Sequence, residues 1–228
     1  ATTDAIPAEY VWKSLHDNAL YVGSMQSGVL EIGAGGVVSN KLVVGGGGCD
    51  YSTYSYEAPG DADGAVYVGN GGRLFVRCGG NHRRLASEIG LYGYGYLQID
   101  GGADVTFGDG DFGFGLHGAG IFHQYGGTFV KKGTLAVGGD KFGCGVIYVT
   151  NGVFRTEAGG IAYSFLGSGE NSKALITIDG PAAEMEIGGS DSTFYANNQV
   201  SAVTRININN GGRLVADRVH PYKTAEEM

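Results

Sequence analysis

The side chains of this chain best suited to chemistry are Asp109 and Asp111, in the stretch Gly108-Asp-Gly-Asp-Phe-Gly-Phe-Gly115, followed by His117, His123, Lys131 and Lys132. In extended backbone alternate side chains share a face, so the two carboxylates point the same way. Two carboxylates roughly 5 to 9.5 Å apart can cleave a glycosidic bond, one as acid and the other as nucleophile or base. The plainer reading is a solvated turn, because Asp and Gly are the residues that turns select. The same aspartates, with Asp61 and Asp63, offer the hard oxygens that calcium prefers. Neither pair is followed by a glutamate at the twelfth loop position and neither recurs at a fixed period, so no metal is expected. Cys49, Cys78 and Cys144 share no Cys-x-x-Cys spacing and, being three, cannot all pair within the chain. Neither a zinc site nor a disulfide framework is expected, and at least one thiol should be free.

A second constellation is a binding surface: Tyr67, Gln98, His123 and Tyr148, with Tyr96 beside them. These residues are far apart in sequence, and only a repeating element could align them. Such an element is present. A phrase of glycine, alternating apolar residues and a glycine corner recurs at Gly28-Val-Leu-Glu-Ile32, Gly64-Ala-Val-Tyr-Val68, Gly95-Tyr-Leu-Gln-Ile99, Gly120-Ile-Phe-His-Gln124, Gly145-Val-Ile-Tyr-Val149, Ala174-Leu-Ile-Thr-Ile178 and Thr204-Arg-Ile-Asn-Ile208. The corner glycines at 35, 71, 101, 126, 152, 180 and 211 are 25 to 36 residues apart, a spacing proper to solenoids.

One short strand and one corner cannot bury an apolar face alone, so the units must stack. Alternation places Leu30, Val66, Leu97, Phe122, Ile147, Ile176 and Ile206 inward as one ladder. Ile32, Val68, Ile99, Gln124, Val149, Ile178 and Ile208 form a second, with Gln124 expected as a buried amide bonded to nearby backbone. The outward stripe is then Glu31, Tyr67, Gln98, His123, Tyr148, Thr177 and Asn207. Asn70, Asn151 and Asn210 precede corner glycines and are expected to help form the turns. Second strands such as Leu42-Val-Val-Gly45 and Leu135-Ala-Val-Gly138 imply two or three strands per coil.

Leu20-Tyr-Val-Gly23, Gly28-Val-Leu-Glu-Ile-Gly-Ala-Gly-Gly36 and Leu42-Val-Val-Gly45 together resemble the repeat of bacterial autotransporter passengers and of proteins bearing the PEP-CTERM sorting tag. Gly64-Ala-Val-Tyr-Val-Gly-Asn-Gly-Gly-Arg-Leu74 and Thr204-Arg-Ile-Asn-Ile-Asn-Asn-Gly-Gly-Arg-Leu214 follow the same pattern. The resemblance implies a right-handed parallel β-helix, secreted or displayed on a bacterial surface, often as one segment of a longer protein. It implies no catalytic residues. The insertion from Gly46 to Gly60 and the irregular fourth coil depart from the pattern, and neither a membrane-barrel translocator nor a sorting tag is seen.

The expected architecture is therefore an all-β, right-handed parallel β-helix of about seven coils over residues 20–216. An N-terminal cap over 1–19 and a polar tail over 217–228 flank it. Of the 228 residues 44 are glycine, without the triplet period of collagen, and 43% are hydrophobic, enough to fill a core. The net charge of −8 disfavours nucleic acid, whose phosphates require a basic face. Arg73, Arg77, Arg83 and Arg84 are clustered, which reads as a solvated edge. No apolar run reaches the ~20 residues that span a bilayer. The functional expectation is a non-enzymatic adhesin, spacer or scaffold at a cell surface or outside the cell, without a cofactor. Its partners would be glycans or host or cell-surface macromolecules, bound weakly. The alternative is a β-helix polysaccharide lyase or glycoside hydrolase built on Asp109 and Asp111.

Overall fold

The computed structural model describes residues 19–23, 26–46, 62–78, 87–139, 141–157, 163–188, 193–196, 201–216 and 218–221. Residues 1–18 of the expected N-terminal cap, Cys49, Asp61, Arg83, Arg84 and most of the Gly46 to Gly60 insertion lie outside the described residues.

A first strand, β1 (Ala19–Val22), precedes the repeat. The first coil is β2 (Gly28–Ile32) and the long β3 (Val37–Val44). The second is β4 (Gly64–Val68), β5 (Arg73–Val76) and β6 (Ser87–Ile89), and the third β7 (Tyr94–Ile99), β8 (Asp104–Phe107) and β9 (Phe112–Phe114). β10 (Ala119–Gln124), β11 (Thr128–Lys132) and β12 (Leu135–Val137) make the fourth. β13 (Cys144–Val149), β14 (Gly152–Glu157) and β15 (Tyr163–Leu166) make the fifth. The sixth is β16 (Lys173–Asp179), β17 (Ala183–Ile187) and β18 (Thr193–Ala196), and the last β19 (Val203–Asn209), β20 (Arg213–Ala216) and β21 (Arg218–Pro221).

Every strand pairs in parallel with its counterpart one coil away. The first strands of the coils form a seven-stranded sheet in the order β19-β16-β13-β10-β7-β4-β2. The second and third strands form two further faces, joined into one 14-stranded sheet because β3 serves both. Its Val37–Asn40 half pairs with β5, and Val43–Val44 pairs with β6. The protein is thus a three-faced parallel β-solenoid with no helix among the described residues.

The register is the expected one. Leu30, Val66, Leu97, Phe122, Ile147, Ile176 and Ile206 are successive Cα partners across the seven-stranded sheet. The five central members are fully shielded from solvent. At the ends the ladder weakens. Ile208, expected inward, is 50% exposed, because β19 is the edge of its sheet and has a neighbour on one side alone among the described residues. Strand β21 pairs with β18 and carries the sheet into the segment expected as a polar tail. Parallel pairing uses backbone groups, so a polar sequence can join it.

Phenylalanine fills the interior of the middle coils. Phe107 and Phe112 lie 4.2 Å apart between ring centroids, Phe122 and Phe129 4.9 Å, and Phe129 and Phe154 4.5 Å, all buried. Rings at these separations interlock as tilted and stacked pairs.

Two glycine positions explain the repeated phrase. On the second to fifth coils the glycine at the start of the first-face strand abuts the carbonyl that ends a strand of the third face or β1: a Cβ at Gly64 or Gly120 would run into the Val22 or Ile89 carbonyl oxygen. The corner after the strand is a four-residue turn, closed by Gly36 N–H to Gly33 O and Gly72 N–H to Gly69 O, with positive φ at Gly35 and Gly71. That is the third position of a type II turn, which requires glycine. The left-handed conformation therefore falls on Gly71 and Gly152, not on Asn70 and Asn151. Of the three asparagines only Asn210, at φ 49°, adopts it.

Candidate functional site

Outward alternation from the seven-stranded sheet brings the expected binding residues into one column. Glu31, Tyr67, Gln98, His123, Tyr148, Thr177 and Asn207 are consecutive Cα partners. Tyr96 stands one outward position earlier on the same face, and its ring lies 5.7 Å from that of Tyr67. His123 sits 5.5 Å from Tyr148. Stacked strands are about 4.8 Å apart, so side chains on neighbouring rungs can touch, and here they do.

Three residues join this face that sequence reasoning passed over. Tyr125 stacks on His123 with centroids 3.8 Å apart, and Asp100 accepts a hydrogen bond of 3.0 Å from Gln98 Nε2. Tyr94, 42% exposed, begins the strand that carries Tyr96 and Gln98. The signal was available. Asp100 and Tyr125 lie two residues beyond Gln98 and His123, so one more step of the same alternation points them outward.

Hydrogen bonding locks the centre. Tyr96 O–H donates to Gln98 Oε1 at 2.9 Å, and the Gln98 amide then donates to Asp100 Oδ1. The orientation of the amide is thereby set from both ends. Burial, followed by the neighbouring Tyr125, Tyr67, Tyr94 and Asp100, pushes the Tyr96 phenol up to about 12. The Tyr94 phenol is raised too, by burial first and then by Asp63 and Tyr67. Burial lowers the His123 imidazole below its usual range, favouring the neutral ring, and its Nε2 is shielded without a hydrogen-bond partner. The face is an array of aromatic rings around a fixed amide and carboxylate.

The acidic cluster comes apart. Asp109 and Asp111 lie in the corner between β8 and β9, Asp109 exposed and Asp111 half-buried. His123 belongs to the aromatic face, and His117 stacks on Tyr92, centroids 5.1 Å apart, in the corner before β10. Lys132 is exposed on β11. Only Lys131 stays with the aspartates, and from the inside. It occupies an inward position of β11 between Phe107 and Thr156, fully buried, and its ammonium donates to Gly108 O and Gly110 O at 2.9 Å each. Burial brings its pKa down to about 8, against the opposing pull of Cys78, Asp109 and Asp111. The Cys78 thiol is pushed up to about 11 by burial, with Lys131 and a hydrogen bond to Ser87 pulling the other way. An amine closed inside the coil and holding two carbonyls organises the Gly108–Asp111 corner. It is not placed to meet a substrate.

Gln124 behaves as the buried amide expected. Its Nε2 donates to Gly127 O at 3.1 Å and to Val153 O at 3.0 Å. The reason is local. Between Gln124 and Thr128 there are three residues, where four separate Ile99 from Asp104. In the longer corner the Ala103 N–H closes the turn onto Asp100 O. The side-chain amide supplies donors that the shortened corner lacks.

Cys78 and Cys144 are free thiols. Among the described residues no three His, Cys, Asp or Glu side chains gather as a metal site would require, and no helix is long and apolar enough to cross a membrane. Comparison with protein-family models, curated proteins and solved structures finds no match to this chain.

Proposed function

We propose that this protein is a non-enzymatic β-solenoid scaffold, displayed on a bacterial surface or secreted, whose aromatic face binds glycans weakly. The observation that carries the reading is the contiguous set Tyr67, Tyr96, His123, Tyr125 and Tyr148 on stacked rungs, interleaved with the fixed Gln98 amide. Aromatic rings present an apolar face with a polar tip, which suits the two-sided chemistry of a pyranose ring. From Tyr67 to Tyr148 is three rungs, about 14 Å, a span that matches a short run of sugars along the solenoid axis. Each site would be weak, and many copies on a surface would add avidity.

The enzyme alternative draws little support. Among the described residues Asp109 and Asp111 have no histidine partner, and the amine near them is sealed in the core. The test is a titration of soluble oligosaccharides followed by nuclear magnetic resonance, with reducing-end release measured in parallel. Millimolar binding abolished in Tyr67→Ala/Tyr148→Ala, with no release, supports the scaffold. Release that vanishes in Asp109→Asn or Asp111→Asn overturns it.

A further inference from the structure

The aromatic face also carries a charge pattern that selects among glycans. On the second to fifth coils, where the aromatic rings stand, the charged side chains at the face among the described residues are Asp63 and Asp100. Basic side chains on the strands of this sheet first appear with Lys173 on the sixth coil and Arg205 on the seventh. His123 does not offset the carboxylates, since its burial favours the neutral ring.

The hydrogen-bonding groups point the same way. Tyr96 O–H and one Gln98 N–H are consumed internally, and the chain ends on the Asp100 carboxylate, which only accepts. An acceptor at the end of a fixed chain calls for hydroxyl donors on the ligand. A ligand carboxylate or sulfate would instead meet like charge, with no Arg or Lys fork among the described residues of this face to receive it.

Resting on the glycan-binding reading above, we infer that the ligand is an uncharged glycan of equatorially substituted pyranose rings, laid along the coil axis over Tyr67, Gln98, His123 and Tyr148, and that acidic polysaccharides are excluded by Asp63 and Asp100. Equatorial substitution leaves both faces of a pyranose lined with axial C–H groups, the surface that stacks on an aromatic ring.

The experiment compares cellohexaose, which is neutral, with hexagalacturonate, which is acidic, by isothermal titration at low ionic strength. Wild-type protein is tested beside Asp100→Asn and Asp63→Asn/Asp100→Asn, with thermal melts to establish that the variants are folded. The expected result is binding of cellohexaose with hexagalacturonate about tenfold weaker or worse, a gap that shrinks with added salt and closes in the double variant. Equal or tighter binding of hexagalacturonate by the wild type overturns the inference while leaving glycan binding intact. A gap that persists unchanged in the folded double variant also overturns it, because the carboxylates would not be its cause. Failure of both oligosaccharides to bind overturns the glycan reading itself.

Discussion

Lys131 makes the stability of the solenoid depend on alkaline pH in a direction opposite to the usual one. Its folded pKa is about 8 against an ordinary 10.5. Below pH 8 both folded and unfolded chains hold the proton, and the folded state bears the cost of a buried ammonium. Between pH 8 and 10.5 the folded chain has released the proton and the unfolded chain keeps it. Stability rises with pH wherever the unfolded state binds more protons, so this window gains about 3 kcal/mol at 1.36 kcal/mol per unit. Cys78 acts oppositely. Its thiol ionises near 9 when unfolded and near 11 when folded, so stability falls across that window. The clean experiment therefore removes the thiol first. In a Cys78→Ala background, urea unfolding followed by circular dichroism at pH values from about 7.5 to 10.5 compares Lys131 with Lys131→Met. The methionine fills the space without a charge but leaves Gly108 O and Gly110 O without the amine's donors. Near neutral pH the two losses oppose each other and the proteins should be similar in stability. The lysine protein should then pull ahead by roughly 1.4 kcal/mol per pH unit above 8, reaching about 3 kcal/mol. Parallel stability curves for the two proteins would refute the burial of a titrating amine inside the coil.

Ile99→Asp places an unpartnered carboxylate at a position with 0% exposure and should unfold the domain or cost more than about 4 kcal/mol, whereas the outward neighbour Gln98→Asp should cost under about 1 kcal/mol. Equal melting temperatures for the two would sink the register. Phe142 holds a left-handed backbone, φ 63°, with a 65% exposed ring, so Phe142→Asn should raise stability by about 0.5 to 1 kcal/mol, read as a higher melting temperature. Gln124→Leu should lower it by about 1 kcal/mol through loss of the donor to Val153 O, since Gly127 O keeps the Val153 N–H and the buried Gln124 Oε1, which has no partner, goes with the amide.

The fold and the long axis of the candidate site were legible in the sequence because both depend on short-range rules. Alternation decides which side chains leave a strand on which face, and the corner glycines set where each strand begins. Once coils stack in register, Tyr67, Gln98, His123 and Tyr148 must align, and they do. What lay beyond the sequence were relations between coils and their edges. Asp109 and Asp111 looked like partners of nearby histidines, but a solenoid separates residues that are close in sequence onto different faces, and His117 and His123 went elsewhere. A lysine on a strand reads as solvent-facing. Only the stacked structure shows Lys131 inside, because two carbonyls of the preceding coil's corner are there to receive its protons. Ile208 fits the inward pattern as well as Ile178 does, yet the one is half exposed and the other sealed. Alternation determines which way a side chain points; whether anything covers it is decided by the coil above.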